Sequence, residues 1–424
     1  MKFLYKNNIL INRLNFTIKI ILVFFFFYGI CCIYNYINII KNKNIYFKKI
    51  KLFRLLLFTK KDKEKNEYEI EIEIKRIVLK DKLINYLKEE NIDILIYQFY
   101  NYNEINNLCK LKKIKIIIFN RSCFLHWIYY NNFYMFKRYY KAIRNANYII
   151  SLVPFENDYL FKKWGINSIL MTNFLSNEYN TIIPSDLSSK VILMIGRGGE
   201  KIKRFDLGIK AMKYIVNKIP ECKMKIISSH CGYLKEIVKS LNLDKYIEFV
   251  GYSSKPEQFF QNASLHFFPS LVESFGNVLT ETLSYGIPNI LIGLDYVSPS
   301  NKGGTLIIYD DSPISLANIA IKVLQNKSYL KKLGEEARKG MKLFRNDLLL
   351  KRWVKLIISI HKGTDYYKRL RNHDKKLSTK NSRKIIENQL KLLKKRKKEY
   401  VNVTIYDIEN FTFMENLKNI KINK

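Results

Sequence analysis

Two glutamates eight residues apart, Glu273 and Glu281, frame the segment PSLVESFGNVLTETLSYGIP (269–288), whose residue types suit a phosphorylated ligand. The apolar stretch before it reads as a strand ending at Ser270. Ser274 and Asn277 are good helix N-cap types, and Gly286 with Pro288 stops the helix. Gly276 lets backbone approach a ligand with no Cβ between them. The N–H groups at this helix start, over Phe275, Gly276, Asn277 and Val278, favour an anion, and the helix dipole adds to the attraction. Glu281 follows Asn277 by four residues, so its carboxylate projects one turn beyond the anion, where it can accept hydrogen bonds from a ribose diol. Glu273 precedes the helix and is able to face a cleft. Each glutamate alone also fits a plainer role, Glu281 as a first-turn carboxylate favoured by the dipole and Glu273 as a loop charge.

The elements that hold this segment alternate. VILMIGR (191–197), KMKIISS (223–229), YIEFVG (246–251), LHFFPS (265–270), NILIGL (289–294) and TLIIYD (305–310) read as strands. Helical patterns fill the intervals at 206–219, 233–241 and 256–263, and two more follow at 313–325 and 328–344. A similar series precedes it: the alternating EYEIEIEIKRIVL (67–79), a helical stretch, IDILIYQF (92–99), IKIIIFN (114–120), a helix at 132–145 and ANYIISLV (146–153). Strands alternating with helices predict an α/β fold of parallel sheets with helices on both faces. The Pro, Ser and Asp of IIPSDLSSK (182–190) mark a linker. The expected plan is therefore two Rossmann-like domains, 67–183 and 190–345, facing across a cleft, then a closing helix (346–362) and a basic tail (363–424) in which KLLKKRKKEY (391–400) is a solvated helix or a surface-binding patch.

The N-terminus carries an uncharged run between Lys19 and Lys41. It is read as a transmembrane helix over 20–40, flanked by residues 1–19 and a basic linker at 41–66, because the run is long and no small-x-small cleavage site follows. Denser positive charge after the run than before it predicts a single-pass membrane protein with its C-terminal bulk in the cytoplasm. A competing reading makes the same run the first strand of the N-terminal domain.

Pro269–Ser270, Glu273, Phe275–Gly276, Glu281 and Gly286–Ile287–Pro288 resemble the E-x7-E signature of the retaining group 1 (family 4) glycosyltransferases, which have the GT-B fold. GRGGEKIKRFDLGIKA (196–211), GGTLIIYDDSP (303–313) and WGINSILMTNF (164–174) are similar to further segments of that family, so the resemblance covers roughly residues 145–345. It implies a metal-independent hexosyltransferase with no cofactor beyond its donor, a nucleotide diphosphate sugar. The acceptor implied is a glycolipid, lipid-linked saccharide or polysaccharide. Arg197 and Lys203 would neutralise the departing diphosphate, since fixed cations stabilise charge that grows as the glycosidic bond breaks. Glu281 would hold the ribose, Glu273 would lie near the reacting face of the sugar, and His126 in NRSCFLHWIYY (120–130) would fill the family's N-terminal-domain histidine position. A packed histidine is the alternative at 126. His230 in SSHCG (228–232) stands where the family has a small residue, and it either touches donor or has no role. The family's Gly-rich loop after the first strand has no counterpart over 41–66, so the N-terminal domain reads as truncated or divergent.

That departure motivates a second reading, a catalytically inactive, membrane-tethered relative acting as a binding or scaffold protein. The net charge of +37 is the only argument for a nucleic-acid partner. With Lys, Asn and Ile inflated throughout, as in an A/T-rich coding sequence, a solvated lysine surface explains it, and no nucleic acid is expected. The six cysteines show no C-x-x-C or Cys/His spacing, so no structural metal is expected and buried free thiols are.

Overall fold

The computed structural model describes residues 20–24, 94–98, 114–130, 133–175, 179–364 and 382–396. The first sheet takes β1 (Ile20–Phe24), β2 (Ile94–Gln98), β3 (Lys115–Asn120), β4 (Tyr148–Ser151) and β5 (Ser168–Leu170), in that spatial order and parallel throughout. Among the described residues three helices belong to it: α1 (Phe124–Tyr129), α2 (Phe133–Asn145) and α3 (Pro154–Trp164).

The second sheet has six parallel strands: β6 (Val191–Ile195), β7 (Lys223–Ile227), β8 (Ile247–Gly251), β9 (Leu265–Phe268), β10 (Asn289–Ile292) and β11 (Thr305–Ile308). Its helices are α4 (Phe205–Lys218), α5 (Gly232–Ser240), α6 (Asn277–Ser284), α7 (Pro313–Gln325) and α8 (Lys327–Met341). The spatial order is β11-β10-β9-β6-β7-β8, so the chain reverses direction of travel between β6 and β9. The loops leaving the C-terminal ends of two such strands diverge and open a crevice, the usual ligand position in a doubly wound sheet.

The chain then crosses back. Helix α9 (Asn346–Lys362) covers the first sheet, burying Leu356 and Ile360 against Ile94, Ile96, Ile117 and Ile150. Helix α10 (Ser382–Arg396) corrects the expectation of a solvated tail. Its Ile385, Ile386, Leu390 and Leu393 are buried, Ser382 Oγ donates to Asp158 Oδ2 of α3 at 3.0 Å, and Gln389 Nε2 donates to the carbonyl of Gly293 beyond β10. The apolar residues recur at helical spacing among the lysines, so one face docks while the charge stays in water. One apolar cluster runs through both domains, joining Leu125 and Phe155 to Phe275, Tyr296 and Ile386. This part of the domain interface is packed.

Of the helix expected over 20–40, the described residues include only the first five, and these follow the competing strand reading. Ile20–Phe24 is a strand, in parallel register with Ile94–Gln98, and residues 25–40 lie outside the described residues. A strand of a parallel sheet is a continuous apolar run, which hydropathy does not distinguish from the start of a membrane span. No helix among the described residues is long and apolar enough to cross a membrane. The strand expected at 67–79 falls outside the described residues.

Candidate functional site

The site is built where the second sheet reverses. β6 ends in the loop 196–204, β9 ends in the loop 269–276, and the two are joined by the Leu271 N–H, which donates to the Ile202 carbonyl at 2.8 Å. The Gly198 N–H donates to Ser228 Oγ at 2.6 Å, and a Cβ there would lie 2.8 Å from that oxygen and push it aside. Gly276 has φ 76°, and a Cβ would meet the Phe268 ring at 3.2 Å. It is the N-cap of α6 and brings no side-chain oxygen, so the first N–H groups of the helix are left to a ligand or water.

Between these loops Lys203 Nζ is ion-paired with Glu273 Oε1, both side chains largely buried. Burial by itself would raise the Glu273 carboxyl. The Lys203 charge and hydrogen bond, with His126 and Ser270 adding to them, hold it below the ordinary carboxylate range. The Glu273 N–H donates to Tyr296 Oη at 3.1 Å, and the Tyr296 ring packs edge-on to Phe155 of the first domain, 5.2 Å between centroids. Arg197 behaves differently. Its side chain is 66% exposed and its guanidinium pairs with Glu200 at 2.7 Å, ready to exchange that partner.

The first domain contributes His126, on α1. Desolvation takes its imidazole from 6.5 down to about 4; Glu273 opposes that shift, while Lys203 and Arg197 reinforce it. All three groups therefore lie within electrostatic reach of the ring. Nδ1 contacts the Cys123 carbonyl at 3.3 Å. A carbonyl only accepts, so Nδ1 carries the proton and Nε2 presents a lone pair at neutral pH. Tyr130, 54% exposed, lies within the same electrostatic reach of Arg197 and Glu273.

The structure thus brings together His126, Lys203, Glu273 and the start of α6, with Arg197 at the rim. Phe275 is a core side chain, edge-on to Phe344 at 5.5 Å, so only its backbone faces the site. Asn277 Oδ1 accepts from Asn173 Nδ2 of the first domain at 2.8 Å, and Val278 is packed between two clusters. Glu281 lies one turn on, half-buried on α6. His266 is fully buried, bonded to Asn289 Oδ1. His230 lines a cavity of about 230 Å³ together with Ser228, Gly232, Lys235, Phe249 and Gly251, at the C-terminal ends of β7 and β8.

Sequence reasoning missed several residues here. Ser274 was read as a cap for its own helix, yet its Oγ accepts the Cys123 N–H across the domain boundary at 2.8 Å. Arg204 holds the left-handed conformation (φ 54°) while making two 2.8 Å bonds to Asp311. Both bonds come from the single nitrogen Nη1, and positive φ in a bulky residue costs about 1–2 kcal/mol. Nothing in local spacing signals either contact, because both join segments distant in sequence.

Residues 177–340 match the family model described as "Glycosyl transferases group 1". An uncharacterized glycosyltransferase of Haemophilus influenzae is 25% identical over 155 residues, 35% of this chain and 42% of that protein. The chain spans less than half the length of the curated relatives it matches. Among solved structures, a glycosyltransferase from Rickettsia africae is similar at a TM-score of 0.57 and 15% identity, covering 82% of this chain and all of that one. HepE of Anabaena, solved with UDP and glucose, has a TM-score of 0.57 at 12% identity, covering 81% of this chain and all of its own. At such identities the likeness concerns the fold, which is that of the GT-B glycosyltransferases: two α/β domains of parallel strands.

Proposed function

We propose that this chain transfers a hexose from a nucleoside diphosphate sugar to a saccharide or glycolipid hydroxyl, with retention at the anomeric carbon. The observation that carries the reading is the meeting of Lys203, Glu273, His126 and the uncapped start of α6 at the reversal point of the second sheet.

The diphosphate lies against the α6 start, where N–H groups and the helix dipole favour negative charge. Lys203 exchanges Glu273 for a phosphate oxygen, and Arg197 swings from Glu200 to a second one. Two side-chain cations then stand beside the oxygen that gains charge as its bond to the anomeric carbon breaks. Freed of Lys203, the ionised Glu273 accepts hydrogen bonds from the sugar's hydroxyls, and neutral His126 accepts another through Nε2. Glu281 holds the ribose diol. The nucleobase enters the cavity beside Phe249 and His230. The acceptor oxygen bonds the anomeric carbon as the diphosphate departs with the bonding electron pair, and the acceptor's proton leaves with it. The family match over 177–340 supports donor use by the second domain. The buried free thiols Cys123, Cys222 and Cys231 fit a reducing, cytoplasmic setting.

Calorimetric titration with UDP-, GDP-, ADP- and dTDP-hexoses tests donor binding. One of them is expected to bind, and Lys203→Met is expected to weaken it by roughly 10-fold or more. Binding of none of the four, by a chain that unfolds cooperatively, would refute the reading.

A further inference from the structure

Helix α1, which presents His126, is poorly equipped to form. It has six residues, and its N-cap Cys123 makes no side-chain capping bond. So short a helix has little stability of its own. Its first N–H groups are met by acceptors from elsewhere: the Cys123 N–H by Ser274 Oγ, as above, and the Phe124 N–H by Glu156 Oε1 at 2.9 Å.

Glu156 is fully buried in the first turn of α3, and among the described residues no cation pairs with it. Its remaining partners are neutral: Ser151 Oγ at 2.7 Å, and Asn120 Nδ2 at 3.3 Å to both carboxylate oxygens. Asn120 is held in turn by Tyr139 Oη at 3.0 Å. A carboxylate buried without a counter-charge is costly, and hydrogen bonds to both oxygens are what make it tolerable here. Here one of its oxygens is aimed at a single place, the Phe124 N–H at the start of α1.

We propose that Glu156 is a positioning residue, a remote cap that fixes the start of α1 and thereby seats His126 opposite Glu273. Ser274 secures the same turn from the second domain, so His126 is set by one acceptor from each side of the boundary. Burial raises the Glu156 carboxyl to about 7, against the bonds from Ser151, Phe124 and Asn120, as fits a group kept for its geometry. The proposal rests on the reading that His126 faces the donor sugar, but its principal test does not need turnover.

The chain has five histidines, so the imidazole of His126 can be followed by NMR in full-length protein labelled at histidine, with His126→Gln for assignment. In the wild type His126 is expected to titrate near 4, with Glu273, Lys203, Arg197 and the Cys123 carbonyl around it. Glu156→Met keeps the volume and removes the acceptor; it is expected to move the midpoint upward by about one unit or more, toward the ordinary histidine value. Glu156→Gln, which retains an acceptor oxygen, is expected to restore it. Should Glu156→Met not fold, Ser151→Ala, which loosens the same carboxylate, is expected to shift the midpoint in the same direction. An unmoved His126 in the folded variant overturns the proposal. In turnover assays the Met variant is expected to lose about tenfold in kcat or more at unchanged donor KM. Absence of turnover in the wild type together with the expected His126 shift would remove the transferase reading and leave the positioning role standing. Wild-type turnover with an unshifted His126 would do the reverse.

Discussion

Lys203 and Glu273 are ion-paired at the junction of the two loops that leave β6 and β9, and each is largely withdrawn from water. Among the described residues neither charge has another ion-pair partner, which fits the proposed exchange of Glu273 for a phosphate oxygen on Lys203. Lys203→Met leaves a buried carboxylate uncompensated and is expected to lower unfolding free energy by roughly 3 kcal/mol. Lys203→Met combined with Glu273→Gln is expected to recover most of that loss. Chemical denaturation of the two variants measures both effects, and an equal loss in each would show that the pair is not coupled.

Gly276→Ala places a Cβ at φ 76° and against the Phe268 ring. The backbone strain alone amounts to about 1–2 kcal/mol. Because that backbone opens α6, the variant is expected to weaken donor binding as well as thermal stability. Intact donor affinity in a destabilised Gly276→Ala protein would show that ligand does not contact this turn.

Ile386 on α10 is fully buried, whereas Lys391 on the same helix is exposed. Ile386→Ala is expected to cost about 2–4 kcal/mol, and Lys391→Ala less than about 0.5 kcal/mol. Near-neutral results for both would mean that the helix is not docked in solution.

How far the fold could be read in advance depended on where each element gets its stability. The helix expected at 313–325 is Pro313–Gln325, because Ser312 caps it locally and its apolar face keeps helical period. The start of α6 was legible only in part: Gly276 opens the helix, but Ser274 and Asn277, the expected caps, bond Cys123 and Asn173 of the first domain instead. The strand at Ile20–Phe24 was only the competing reading, since its identity as a strand comes from pairing with residues 94–98, more than seventy positions away. Helix α10 was taken for a solvated tail because its lysines dominate the composition while four apolar residues do the packing. Glu156 attracted no notice: its significance lies in contacts to Asn120, Phe124 and Ser151 that no spacing rule links.

His266 is buried neutral, its imidazole lowered from 6.5 to about 4 by desolvation, with the Asn289 bond opposing. A depressed folded-state value means that the native state binds fewer protons than the unfolded chain between those limits. The stability it contributes is complete above pH 6.5 and is lost as pH falls to about 4, some 3 kcal/mol in all. His266→Gln is expected to flatten the stability profile across that window relative to the wild type. A variant profile with the wild-type slope would assign acid sensitivity to other groups.

Release of nucleoside diphosphate from a panel of sugar nucleotides, with short oligosaccharides or glycolipid as acceptor, bears most directly on the central claim that Lys203, Glu273 and the start of α6 form a donor site. One donor is expected to give turnover above the no-enzyme blank, and Lys203→Met and Glu273→Gln are expected to lower kcat by roughly 100-fold or more. Turnover unaffected by both substitutions, or a folded wild-type protein that releases diphosphate from no donor in the panel, would contradict it.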